Sequence, residues 1–187
     1  MKFSKREIFD LLKAWILISI AFTILYKGII SNNYPLLFLA SMFTAGLGFL
    51  LHELAHKFFA QKYNYYAEFK AFDFMLLFAI LFSFFGFIIA VPGAVFIHGR
   101  ITRKRAGIIS LAGPLTNIIL SILFFVLLNL NFFTLISDLG FRINSYLALF
   151  NMLPIFALDG KSIFRWNKTV YFIALIAALF LVFLQFV

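Results

Sequence analysis

The chain has 187 residues, of which 64% are hydrophobic and 12% charged, and its mean hydropathy is +1.05. A soluble domain of this length cannot bury so much apolar surface, so the bilayer is the expected solvent. The net charge of +9 does not signal nucleic acid, because the basic residues flank apolar runs rather than line one soluble face, and the absence of cysteine excludes disulfides and thiolate metal sites.

A single membrane-embedded domain over residues 1–187 is expected. The N-terminus, Met1 to Asp10, is basic and leads into an apolar run. That run is longer than a signal-peptide core and lacks a small-residue cleavage site, so it reads as a retained first span. Five segments are long and apolar enough to cross, roughly Ile8–Ile30, Leu36–Ala60, Gly107–Leu130, Phe141–Leu158 and Thr169–Val187. A further apolar stretch, Phe74–Ile97, is interrupted by Gly86 and by Pro92–Gly93, and is β-prone after Gly86.

Charge decides how that stretch runs. If it dips in and returns, every Lys and Arg except Lys27 and Arg142 falls on one side, a strong positive-inside bias. If it crosses, the basic loop around Arg103 changes sides and the bias collapses. The expected architecture is therefore an all-α polytopic membrane protein with five crossings and a cytoplasmic N-terminus. A re-entrant, partly β hairpin at about 63–100 separates the second and third spans, within a catalytic core at about 36–165. Non-spanning backbone at membrane depth must be covered by protein or face a wet cavity, so the hairpin implies a cavity open to the cytoplasm.

Late in the second span lies His52-Glu53-Leu54-Ala55-His56, an H-E-x-x-H motif on a predicted helix. The i, i+4 spacing puts both imidazoles on one face, where they can chelate one zinc ion. Glu53 is about 100° round the helix from His52 and can reach a zinc-bound water. Zinc lowers the pKa of such a water towards about 7, and a carboxylate can take its proton. The plain alternative is a span-end ion pair between Glu53 and Lys57 at i+4. The cost of ionisable groups within a span weighs against it.

A third ligand must come from the seven acidic residues. Glu7 and Asp10 belong to the basic N-terminal segment, Asp138 lies in the loop on the far side, and Glu68 and Asp73, flanking the hairpin, are weaker candidates. Asp159 is the strongest. Leu36 to His52 and Ile143 to Asp159 are each sixteen residues in spans running the same way, about 24 Å of helix rise. Both sites thus reach one level of a core about 30 Å thick. His98 reads as a solvated side chain in a basic loop. Phe59 and Lys62 stand where a metzincin needs glycine and a third histidine, which excludes that pattern.

With these motifs in order, the chain resembles the site-2 protease family of intramembrane zinc metalloproteases, in a compact form without a PDZ-like or CBS-like domain. The resemblance rests on His52-Glu-x-x-His56, on Gly113-Pro114-Leu115-Thr116-Asn117, and on Asn151-x-x-Pro154-x-x-x-x-Asp159-Gly160. It covers roughly Phe43 to Ile163, and Ala90 to Val95 is similar to that family's re-entrant β segment. It implies that His52, His56 and Asp159 bind one Zn2+ per chain and that Glu53 serves as general base and then general acid. It also implies that Asn151 hydrogen-bonds the developing oxyanion or positions the substrate carbonyl, and that the substrate is a transmembrane segment of another protein in the lipid bilayer of the cell membrane.

Other residues carry expectations of their own. Asn117 reads best as a structural contact between spans beside Gly113–Pro114. Gly46 and Gly48 allow close helix approach. Pro154 breaks the helix before Asp159. A helical substrate must unwind before attack, and a strand edge around Tyr63–Lys70 or Ile88–Ile97 could hold it by strand addition. The rival readings are an ion or solute transporter using intramembrane His, Glu and Asp, a membrane zinc hydrolase with glutamate as third ligand, and an inactive scaffold. The second is disfavoured because no glutamate follows Glu68.

Overall fold

The computed structural model describes residues 1–28, 33–88, 91–156 and 158–187. Helix α1 (Lys5–Leu25) starts at Ser4, whose hydroxyl accepts the Glu7 N–H at 3.1 Å, the ordinary side-chain N-cap. Helix α2 (Tyr34–Ser41) starts at Asn33, has proline in its first turn, and runs through a π turn (Met42–Gly46) into α3 (Leu47–Lys62). The π turn is fastened to α1, because the Met42 carbonyl accepts from Trp15 Nε1 at 3.0 Å. A Cβ at Gly46 would strike Trp15 and Ser19, and one at Gly48 would strike Asn144, so both glycines permit the close approach expected of them.

After α3 comes a small sheet. Strand β1 (Tyr66–Ala71) leads into α4 (Asp73–Ser83), and β2 (Gly93–His98) returns antiparallel to β1 with Glu68 opposite Phe96 and Ala71 opposite Gly93. The Phe72 N–H donates to the Pro92 carbonyl at 2.9 Å. The chain between Ala71 and Gly93 therefore leaves and returns to one place. Among the described residues, the stretch expected to be β-prone after Gly86 holds the strand Gly93–His98, and the first half of Phe74–Ile97 is the helix α4. Ile89 and Ala90 of the expected edge, and Ile29 and Ile30 of the expected first span, lie outside the described residues.

Helix α5 (Arg103–Asn129) continues through Pro114. Helix α6 (Thr134–Asn151), α7 (Asp159–Trp166) and α8 (Lys168–Phe183) complete the order. The fourth apolar segment, read as Phe141–Leu158, corrects to a helix that starts earlier and ends at Asn151. Pro154 and a left-handed Phe156 (φ 48°) hold the following residues out of it.

Three helices among the described residues are long and apolar enough to cross a membrane: Lys5–Leu25, the continuous Tyr34–Lys62, and Arg103–Asn129. The shortest has 21 residues, about 31 Å of rise against an apolar core about 30 Å thick. Helix α8 is apolar but has 16 residues, and α6 carries Asp138, Arg142 and Asn144. One core joins α1, α2, α3, α4 and α6 through residues such as Leu11, Leu37, Phe49, Leu76 and Ile143. Another joins α5, α6 and α8 through Ile118, Phe141 and Leu181. Large apolar side chains such as Phe74, Phe85, Ile119 and Ile173 face outward, as suits a hydrocarbon surround.

Candidate metal centre

His52 and His56 stand one turn apart on α3, with ring centroids 4.6 Å apart. Their Nε2 atoms lie 3.0 Å from each other. Asp159, the first residue of α7, brings Oδ2 to 3.2 Å from each of them. The three are the group of His, Asp and Glu side chains among the described residues able to hold a metal ion. The sequence expectation put Asp159 at the level of the histidines, and the structure agrees. The route differs, because an irregular segment after Asn151, not a continuous helix, delivers it.

Hydrogen bonds at the histidines' other nitrogens fix the orientation of the rings. His52 Nδ1 is 2.6 Å from Asn117 Oδ1. Asn117 donates its Nδ2 hydrogens to the Gly48 carbonyl (3.2 Å) and to Asn144 Oδ1 (3.0 Å), which holds its oxygen towards the ring. His56 Nδ1 is 2.8 Å from the Ile109 carbonyl, which can only accept. Both Nδ1 atoms are therefore placed as N–H donors, so in the neutral imidazoles both Nε2 atoms present lone pairs to one point beside a carboxylate oxygen. Such a cluster calls for a cation. Tetrahedral zinc with bonds of about 2.0–2.1 Å sets its ligand atoms about 3.3 Å apart, close to the separations here. Two imidazoles and one carboxylate form a catalytic-type donor set that leaves a position open, and they fit one Zn2+. A Cβ on Gly113 would run into Nε2 of both histidines, so glycine there clears the space around the donors.

Glu53 is buried in the same cluster, and its Oε2 has no hydrogen-bond partner among the described residues. The backbone of Val95 in β2 lies beside its carboxylate. Glu53 does not pair with Lys57, which turns to Glu7 instead. A cavity of about 500 Å³ opens between the helices and β2. His52, Glu53, Asn117, Asn151 and Gly93 are among the residues that line it, with mostly apolar neighbours. Asn151 donates one Nδ2 hydrogen to the Leu147 carbonyl at 3.0 Å, and its second has no partner among the described residues.

The other candidate ligands are engaged elsewhere. Glu68 accepts from Ser4, Asp73 meets Lys13 at 2.6 Å, and Asp138 meets Arg142 at 2.8 Å. His98 is exposed against Tyr66. The sequence predicts Asn117 as a contact between spans. It is that, and it also orients a metal-binding histidine, a role typical of the shell behind metal ligands. The signal available was a pair of asparagines, Asn117 and Asn144, inside apolar segments, where an amide needs a partner.

No protein-family model matches the chain, and no solved structure matches it. A protein of Methanocaldococcus jannaschii named "Putative zinc metalloprotease MJ0611" is 39% identical over 176 residues, a match covering 91% of this chain and 89% of that one. The matched region runs almost end to end in both proteins and so spans the segment from the α3 histidines to Asp159. The chain belongs to the zinc metalloprotease family of that archaeal protein.

Proposed function

We propose that this chain is an intramembrane endopeptidase of the site-2 protease type, one membrane-embedded domain that hydrolyses a peptide bond within or near a transmembrane segment of another protein. The observation that carries the reading is the convergence of two imidazole Nε2 atoms and the Asp159 carboxylate beside Glu53, whose Oε2 has no partner among the described residues, with the histidines and Glu53 on a helix apolar enough to cross a bilayer. His52, His56 and Asp159 would hold a zinc ion, which would supply Lewis acidity towards water and the scissile carbonyl. Glu53 takes the proton of the attacking water and delivers it to the leaving amine. The free Nδ2 hydrogen of Asn151 steadies the developing oxyanion without placing a charge in an apolar cavity.

A substrate helix hides its carbonyls in i→i−4 bonds and must be extended before attack. The outward edge of β2 at Val95, beside Glu53, suits an added strand of substrate backbone. The return of the chain from Ala71 to Gly93 supports a re-entrant segment rather than a crossing. With α6 and α8 as the fourth and fifth crossings, the basic residues gather on one side, giving a cytoplasmic N-terminus and a site opening to the cytoplasm.

The purified protein in detergent, given a single-span substrate protein, tests the reading. Wild type should cut within or beside the span, and Glu53→Gln should retain metal without cutting. Equal cleavage by both would remove Glu53 from the chemistry, and wild-type cleavage confined to soluble loops would remove the intramembrane part. The transporter reading is not favoured: the bare nitrogens converge on one fixed point rather than tracing a path.

A further inference from the structure

The helix that carries the histidines holds a second buried charged cluster. Lys57, next in sequence to His56, is fully buried; its ammonium pairs with Glu7 of α1 and sits 4.0 Å from the centroid of the Phe3 ring. Glu7 is 1% exposed, and its other oxygen accepts the Phe69 N–H of β1 at 2.9 Å. Asp10, one turn further along α1, accepts the Ala71 N–H at 3.3 Å. These are alternate N–H groups on the outer side of β1. In an antiparallel pair the residue opposite an outward-facing N–H also faces outward. Phe69 is opposite Val95, so the Val95 edge points away from β1, consistent with its place beside Glu53.

A charged pair inside a spanning helix is costly, and apolar residues of like volume often replace one without loss. Fold stability is thus a weak reason for Glu7 and Lys57. Their geometry supplies a stronger one: a single carboxylate bridges the side chain of α3 and the backbone of β1.

We propose that Glu7 is a positioning residue for substrate: by tying Lys57 to the Phe69 N–H, it closes the outer edge of β1 and sets the sheet so that the Val95 edge of β2 lies at the reactive centre. The inference rests on the strand-addition reading above. On this basis the sheet offers one docking edge, and the acceptor oxygen at position 7, rather than its charge, sets its place.

Two double variants separate acceptor from charge. E7Q/K57M keeps an oxygen for the Phe69 N–H and removes both charges; E7L/K57M removes the charges and the acceptor. Zinc content, hydrogen exchange at the Phe69 amide, and KM and kcat on the single-span substrate are read for each. E7L/K57M should keep its zinc and its kcat, lose roughly tenfold in Phe69 protection and gain roughly tenfold in KM, the scale of one lost hydrogen bond to a buried donor. E7Q/K57M should stay within about threefold of wild type on every measure, since an amide oxygen still accepts. Wild-type KM in E7L/K57M, or equal impairment of the two variants, overturns the proposal. So does failure of E7L/K57M to fold beside a normal E7Q/K57M, which would make the contact one of folding alone. If wild type itself cleaves nothing, the proteolytic reading fails instead, and the Phe69 exchange still reports the tie between α1 and β1.

Discussion

Helix α3 carries two buried polar clusters, and they differ in whether the chain completes them. Around Lys57 the charges close on themselves: one ammonium, one carboxylate and a strand N–H satisfy one another. Around His52 and His56 they do not. Two imidazole Nε2 atoms and the Asp159 carboxylate face one point, and Glu53 keeps an oxygen without a partner among the described residues. The first cluster is internally satisfied and fastens elements together; the second becomes complete when a cation enters. Buried polarity within an apolar protein thus has two uses, told apart by counting donors against acceptors.

Substitutions should divide along the same line. The largest effect expected on chemistry is from Glu53→Gln, which should lower kcat by about 10²–10⁴-fold with zinc retained, measured by single-turnover cleavage. The largest on stability is from Lys57→Met alone. It leaves Glu7 buried without a counter-charge and should cost about 3–5 kcal/mol, measured by unfolding in mixed detergent; a near-neutral result would mean that the pair is wetter than its burial indicates. Gly113→Ala should leave the fold intact yet weaken zinc binding, because the added methyl group meets both Nε2 atoms. It should do so more than Asn117→Ala, which frees the His52 ring and should weaken zinc by about 10–100-fold in chelator competition. Parity between Asn117→Ala and wild type would reduce that asparagine to a contact between helices.

The two clusters also differ in how far the sequence disclosed them. His52, Glu53 and His56 are legible because helix periodicity alone places them together. Asp159 is legible because few acidic residues compete for the role, although the depth reasoning assumed a helix through Leu158 where the chain breaks after Asn151. The Glu7–Lys57 cluster was opaque. Glu7 and Asp10 sit among Lys2, Lys5, Arg6 and Lys13 and look like members of a solvated basic segment. Only the docking of α1 on β1, some sixty residues later, turns them inward. Asn117 lies between these extremes: its need for a partner was readable, the identity of the partner was not. The sheet was foreseen in place but not in form, since α4 interrupts it and is held by a core that Leu76 shares with Leu11, Ala14 and Ile18 of α1.

The most direct measurement is zinc per chain in purified wild type and in Asp159→Ala, with Lys57→Met as a comparison from the buried pair beside His56. One zinc per chain in wild type and in Lys57→Met, with loss from Asp159→Ala, is the expected result. Zinc bound equally by Asp159→Ala and wild type would contradict a centre built from the α3 histidines and the first residue of α7.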